Sequence, residues 1–328
     1  MNKISIGIIG AGSIVTTMHL PILYTIPEVN VSYIADVEEK RLLSSAFNAK
    51  FIKIGNTPIG TIPKTDAIFL ATPLGARDEY IKAQELGSCS IFTEKPFVAN
   101  FDHHKQLIGA IKKIVCNYNR QFFSTIRSLK RIIDSSLLGN LEVVKIAESA
   151  MPRGTGKSPN HYQFNKRLSG GGLLIERGCH TLSQIDFLFS NFLIKVTDCK
   201  IRTIKGIDVD IDLDLEVVLN NNSSIPINYK LSAGRLFNTA SLYSFDKGNI
   251  NFNHTDACSK LKIYDNCQNM HTIENIERFA TTEIQSFYLS WISFLEKVKG
   301  IQKFSPEIDT SIRTTEIIEA AYRKAGLL

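Results

Sequence analysis

Two glycines two places apart open the chemistry of this chain. Gly10 and Gly12 stand in the run Gly10-Ala11-Gly12-Ser13-Ile14-Val15, after an apolar stretch and before a helix-compatible one. The first position permits a tight turn. The second lets backbone approach a pyrophosphate at a helix N-terminus, where free N–H groups and the helix dipole favour negative charge, with Ser13 and Ile14 in the same turn. The third glycine of such a fingerprint is replaced by Val15. Asp36 closes the next apolar run, about 20 residues on, where a carboxylate accepts hydrogen bonds from ribose hydroxyls and repels a 2′-phosphate. These residues predict a dinucleotide site, with NAD the expected cofactor and NADP the alternative.

Two further segments follow strand-like runs. Thr72 and Pro73 come after Ile68 to Ala71, and Glu94, Lys95 and Pro96 after Ser90 to Thr93. Ligands of open parallel sheets bind beyond the carboxyl ends of the strands. Thr72, Pro73, Glu94 and Lys95 are therefore expected near the cofactor, and a lysine held there can hydrogen-bond a substrate hydroxyl.

The elements that must position these residues alternate as βαβ units do. Strands are expected at Ile4 to Ile9, Val29 to Ala35, Ala67 to Ala71, Ser90 to Thr93 and Ile114 to Asn117. Helices are expected at Leu20 to Tyr24, Glu38 to Phe47, Asp78 to Leu86 and Asp102 to Lys112. After residue 118 the pattern changes. Ser124 to Ser135 reads as an amphipathic helix, Leu141 to Ser149 as a strand, Met151 to Leu168 as a cationic loop, and Leu173 to Phe189 as a helix opened by three glycines. Short strands follow at Lys195 to Thr203, Asp208 to Leu219, Ile225 to Ser232, Thr239 to Phe245 and Gly248 to Asn253, then helices at Ile284 to Val298 and Asp309 to Lys324. The fold class is thus α/β, an N-terminal Rossmann parallel sheet in residues 1–118, followed in 119–328 by an α+β domain built on a largely antiparallel open sheet. The strands after Lys195 offer an apolar face that predicts a homodimer or homotetramer packed sheet to sheet.

Composition narrows the function classes. The 328 residues are 44% hydrophobic and 21% charged, with net charge +6. The cations are interspersed with acids instead of forming a basic block, which speaks against nucleic acid. No apolar run nears the roughly 18 residues of a membrane span, and the first residues lack the organisation of a leader. Six cysteines without a C-x-x-C pair or zinc-ligand spacing predict a reducing, cytoplasmic setting and no metal. The alternating acids from Asp208 to Glu216 read as a solvated or interface strand, since alternate residues lie about 7 Å apart, too dispersed for a cation cage.

Taken in order, the segments GIIGAGSIVTTMHLP, ATP, TEKPF, NYNRQF, GGGLLIERGCH and IIEAAYRKA resemble the Gfo/Idh/MocA family of glucose-fructose oxidoreductase and inositol 2-dehydrogenase. The resemblance implies that Lys95 is an active-site residue, commonly before a cis proline bond. It also implies that His180 and Glu176, the latter at the usual aspartate position, carry the remaining catalytic groups. Four residues apart on a helix, Glu176 and His180 share a face, so the carboxylate can orient the imidazole for general acid/base work. Three departures stand out: Glu176 for aspartate, Ser183 where an acid usually follows the histidine (the next acid is Asp186), and Ala76-Arg77-Asp78 where a histidine often follows the Thr-Pro turn.

The activity so implied is NAD(P)-dependent hydride transfer at a secondary alcohol or ketone of a sugar, cyclitol or nucleotide sugar. His180 would move the proton, Lys95 bind the same oxygen and Glu176 orient His180. Arg120, Arg153, Lys157, Lys166 and Arg167 would suit a phosphorylated, nucleotide-linked or uronic substrate. Two rivals are a non-catalytic NAD(P)-binding sensor or scaffold and a reductase of carbon–nitrogen or tetrapyrrole double bonds, neither of which needs both Lys95 and His180.

Overall fold

The computed structural model describes residues 3–38, 41, 49–54, 62–83, 89–150, 165–221, 223–267, 269–273 and 279–328. The chain forms two compact units, one of residues 1–98, 102–117 and 287–312, the other of 99–101, 118–286 and 313–328. This differs from a single cut after 118. Phe287, Trp291, Phe294 and Leu295, from the helix Glu283–Val298, pack in one core with Ile6, Ile8, Phe69 and Phe92. Burying these large side chains stabilises by about 1.5–3 kcal/mol each, so the C-terminal segment belongs to the first unit energetically although it is remote in sequence.

Among the described residues the first unit holds six strands: β1 (Ile4–Ile9), β2 (Val29–Asp36), β3 (Lys50–Lys53), β4 (Ala67–Leu70), β5 (Ser90–Glu94) and β6 (Ile114–Asn117), in the order β3-β2-β1-β4-β5-β6. All neighbours are parallel. Every residue of β4 and β5 is buried, as continuous apolar strands covered on both faces must be. The short, mostly exposed edge strand β3 lacks an alternating pattern and was not among the expected strands. The helix expected at Glu38 to Phe47 lies largely outside the described residues. The strand order reverses between β1 and β4, which opens a crevice at their carboxyl ends.

Among the described residues the second unit carries eight strands, β7 (Leu141–Ser149), β8 (Leu193–Ile204), β9 (Ile207–Val218), β10 (Ser224–Ser232), β11 (Ala240–Phe245), β12 (Gly248–Phe252), β13 (Leu261–Asp265) and β14 (Met270–Ile273), ordered β14-β13-β12-β11-β7-β10-β9-β8. Only β7 and β10 run parallel; the other neighbours are antiparallel. Ile211, Leu213, Leu215, Val217, Ile225, Ile227 and Leu231 are all buried. The apolar face expected to remain open is therefore consumed within the unit. Lys145, Asp198, Lys200, Asp212, Asp214, Asn228 and Lys230 instead line one shallow depression together. Period-two alternation explains this: once the apolar set faces the core, the charged set must face away.

Candidate active site

In the first unit the carboxyl ends of β1, β2, β4 and β5 gather the sequence-predicted groups. Gly10 has φ +100°, and a Cβ there would lie 2.7 Å from the Ala71 carbonyl oxygen; only glycine fits this turn. Its N–H donates to Ala35 O at 2.7 Å. A Cβ on Gly12 would meet nothing within 4 Å, so the turn faces open space on the side where a pyrophosphate is expected. Ser13 and Ile14 are exposed. Val15, in place of the third glycine, is fully buried and begins a π-helical turn, Val15–His19, before the helix Leu20–Thr25.

Asp36 is 4% exposed. Its carboxylate accepts from Ala11 N at 2.6 Å and Glu38 N at 2.8 Å, and the Arg41 guanidinium stands 3.6 Å away. The aspartate therefore ties β2 to the glycine turn. Arg41, which sequence reading passed over, sets a cation beside the acid where a 2′-phosphate would otherwise meet only like charge.

The Thr72 Oγ1 is buried and has no hydrogen-bond partner among the described residues. Such a hydroxyl costs about 1–3 kcal/mol unless something satisfies it. With the open space at Gly12 and the acceptor Asp36, this orphan atom fits a bound dinucleotide: Gly10 to Ile14 would hold its phosphates, Asp36 its ribose, and Thr72 and Pro73 the segment nearer the reacting end.

Lys95 is half-buried directly after β5, and its peptide bond to Pro96 is cis. Glu94, expected to face the cofactor, is instead turned inward. Its Oε1 lies 2.9 Å from His19 Nε2 and accepts from Asn117 Nδ2 at 2.7 Å, while its Oε2 accepts from Lys95 N at 3.2 Å. Burial would push this carboxyl up, but the hydrogen bonds from His19 and Asn117 and the neighbouring Lys95 hold it below the usual carboxylate range. Arg77, 2% exposed, donates through Nη1 to the carbonyls of Glu94, at 2.5 Å, and Pro96, and through Nη2 to that of Thr72 at 3.0 Å. One guanidinium thus joins the Thr72 and Lys95 segments. The only hint in the sequence was that Arg77 stands where a histidine is common.

In the second unit Gly170 to Gly172 lead into a π-helical turn, Leu174–Gly178, and the helix Cys179–Leu188. Glu176 and His180 are both half-buried on these consecutive segments. A Cβ on Gly172 would lie 2.3 Å from Asp208 Oδ1, and Asp208 Oδ2 accepts from Leu174 N at 2.7 Å. Asp208 therefore caps the helical start from a distant strand, and with Asp210, also buried, departs from the solvated strand expected. Ser183 donates to His180 O at 2.8 Å, and Asp186 accepts from Arg313 Nε at 2.6 Å. Ser183 and Asp186 both serve the scaffold.

Arg120, expected as a loop cation for substrate, is 8% exposed with its Nη1 4.0 Å from Glu148. Glu148 is fully buried and accepts from Arg177 Nη2 at 3.1 Å, Thr181 Oγ1 at 3.0 Å and Tyr229 OH at 3.1 Å. Burial opposes its charge, yet His254 and the two arginines hold the carboxyl far below the ordinary range. Ser241 Oγ, 2.9 Å from His254 Nδ1, and His254 Nε2, 3.6 Å from Glu148, have the residue types of a nucleophile triad. All three are at most 1% exposed, so no substrate reaches them. Arg153 and Lys157 lie outside the described residues, as does the Lys166 side chain; Arg167 is exposed, its N–H on Asn165 Oδ1 at 3.0 Å. Among the described residues no helix is long and apolar enough to cross a membrane.

Residues 4–119 match the family model described as oxidoreductase family, NAD-binding Rossmann fold, GFO_IDH_MocA. The oxidoreductase YrbE of Bacillus subtilis strain 168, itself uncharacterised, is 24% identical over 200 residues, 59% of this chain and 56% of the relative. The chain thus spans little more than half the length of that relative. Levoglucosan dehydrogenase, solved with NADH and L-sorbose, superposes with TM-score 0.81 at 17% identity over 99% of this chain and 97% of the other. The 3-ketoreductase KijD10 from Actinomadura kijaniata, solved with NADP and TDP-benzene, gives TM-score 0.78 at 15% identity over 98% of each chain. At such identities the likeness is one of fold, and it extends through both units. The glycine turn, the Asp36 and Thr72 edge and the Glu94-Lys95-Pro96 segment all fall within residues 4–119, the span that is similar to the NAD-binding Rossmann fold of the Gfo/Idh/MocA oxidoreductases.

Proposed function

We propose that this protein is an NAD(P)-dependent dehydrogenase or reductase acting on a secondary alcohol or ketone of a sugar, cyclitol or nucleotide sugar. The observation that carries the proposal is the single carboxyl edge on which Gly10, Gly12, Asp36, Thr72 and Lys95 stand in one unit. When bound, NAD supplies the hydride acceptor and its reduced form the donor. Lys95 donates a hydrogen bond to the reacting oxygen and stabilises negative charge developing there. His180 takes the hydroxyl proton in the oxidative direction and returns it in the reductive one, and Glu176 orients its imidazole. Carbon loses hydride and oxygen loses a proton, so the alcohol becomes a ketone with atoms and charge balanced.

The substrate class draws support from relatives whose bound molecules are L-sorbose and a TDP-linked group. The burial of Arg120 against Glu148 removes one cation from the argument for an anionic substrate; Arg153, Lys166 and Arg167 remain as proposed contacts. Six free thiols, four of them buried, support a cytoplasmic setting, since oxidising compartments pair cysteines. The rows of lysines and aspartates on the open face of the second unit are self-complementary, which supports a homodimer or homotetramer.

The test is a panel of levoglucosan, L-sorbose, aldoses, myo-inositol and TDP-glucose with NAD and NADP, following nicotinamide absorbance. Turnover of at least one sugar or cyclitol is expected. Dinucleotide binding with no turnover across the panel, and no change on removing Lys95 or His180, would favour the sensor.

A further inference from the structure

We propose that Glu94 is a positioning residue for Lys95, its orientation imposed by a one-way hydrogen-bond chain that starts at Trp291 and passes through His19. This rests on the reading of Lys95 as the lysine that binds the reacting oxygen. An indole N–H can only donate. Trp291 Nε1 donates to His19 Nδ1 at 2.9 Å, so Nδ1 must be the bare nitrogen and the imidazole proton sits on Nε2. That N–H points at Glu94 Oε1, 2.9 Å away. On the other side, Ser290 Oγ donates to Asn117 Oδ1 at 2.8 Å, which turns the Asn117 amide nitrogen toward the same Oε1 at 2.7 Å.

Glu94 Oε1 therefore receives two N–H groups and Oε2 the Lys95 backbone N–H at 3.2 Å. Each donor has one acceptor, and both oxygens of Glu94 act as acceptors, the arrangement a carboxylate satisfies. His19 is fully buried among rings, with Phe69 at 4.3 Å, Phe287 at 5.0 Å and Trp291 at 5.9 Å between centroids. The result is a fixed carboxylate at the base of Lys95. Arg77 in turn holds the carbonyls of Glu94 and Pro96. A lysine side chain has many rotamers, and fixing the backbone that bears it limits where its ammonium can reach. Misplacement of a reacting group by about 1 Å can cost on the order of 100-fold.

Two substitutions separate this role from packing. His19→Gln keeps one acceptor for Trp291 and one donor for Glu94, whereas His19→Leu fills the aromatic pocket with apolar volume and offers neither. With NAD and levoglucosan, L-sorbose, myo-inositol or TDP-glucose as the assayed substrates, His19→Leu and Glu94→Gln are expected to lose about 10- to 100-fold in kcat, with NAD affinity within a few fold. His19→Gln should recover most of that loss. If His19 merely packs, the order reverses and leucine is the better tolerated. Selective ¹⁵N-histidine labelling of the unsubstituted protein reads the tautomer directly and needs no substrate; a proton on Nδ1 of His19 overturns the proposal. Lys95→Ala is run in parallel. Loss of turnover there with full turnover in Glu94→Gln overturns the positioning role alone, whereas full turnover in Lys95→Ala overturns the reading of Lys95 and this proposal with it.

Discussion

Lys95 and His180 differ in how their surroundings prepare them. The first rests on a carboxylate and a guanidinium that bind its backbone neighbours; the second rides on a helix whose neighbouring residues Arg177 and Thr181 are held by buried Glu148. On the proposed mechanism, removing either side chain should leave dinucleotide affinity within a few fold and lower turnover about 10²- to 10⁴-fold, with the double variant losing less than the product of the single losses. Steady-state kinetics beside NAD titration checks this; near-parental turnover in His180→Ala would remove the acid/base assignment. Asp36 makes a second prediction. Asp36→Ala should narrow a preference for NAD over NADP measured by binding titration, and Arg41→Ala should widen it, because Arg41 offsets the repulsion that Asp36 exerts on a 2′-phosphate. Equal affinities for NAD and NADP in the parent protein would sink both. The places of Gly10 in a tight turn and of Asp36 and Lys95 at strand ends were legible because each depends on its own stretch of backbone. Glu94 and Arg120 were misread because facing inward depends on partners far off in sequence, His19 for one and Glu148 for the other.

At the scale of elements, the helices that carry the glycine turn and the proposed Glu176–His180 pair both begin with a π-helical turn, Val15–His19 in one unit and Leu174–Gly178 in the other. Such turns are rare and concentrate at functional sites. Periodicity located both helices, but it carries no signal for one extra residue in a turn. Nor could it show that Asp208 caps the second helix from β9. Gly172→Ala would drive a Cβ into Asp208, and overpacking of this kind costs about 1–3 kcal/mol; a lower melting temperature with unaltered NAD affinity is expected by calorimetry. The helix Phe101–Ala110 yields a pH prediction. Burial, with His103 nearby adding to it, pushes the His104 imidazole down to about 3, and its Nε2 lies 2.7 Å from Thr310 Oγ1. Its unfolded value is about 6.5, so between these limits the unfolded chain binds the extra proton. The stabilisation is present above about pH 6.5 and is lost as pH falls toward 3, by up to about 1.4 kcal/mol per pH unit. Urea melts from pH 7 to pH 4 should show a shallower decline in His104→Phe than in the parent, and identical slopes would contradict the argument.

Across the whole molecule, the parallel and antiparallel sheets were legible from alternation of apolar runs, whereas the participation of 287–312 in the first unit was not, because no local pattern says which core a C-terminal helix will join. Assembly through the polar open face of the second unit, as proposed, would be salt-sensitive: light scattering is expected to find a homodimer or tetramer at low ionic strength that weakens at about 1 M salt, where screening acts within roughly 3 Å. A monodisperse monomer at both ionic strengths would contradict it. The bond from Trp291 to His19 spans 272 residues of sequence, and this has a bearing on synthesis. A ribosome adds about 5–20 residues per second, so His19 emerges roughly 14–54 s before its indole partner. Once Phe92 has emerged, for roughly the last 10–40 s of that interval, the nascent sheet displays Phe69 and Phe92 without the helix that later covers them, a window in which a chaperone can hold the half-made domain or a neighbouring nascent chain can stick to it.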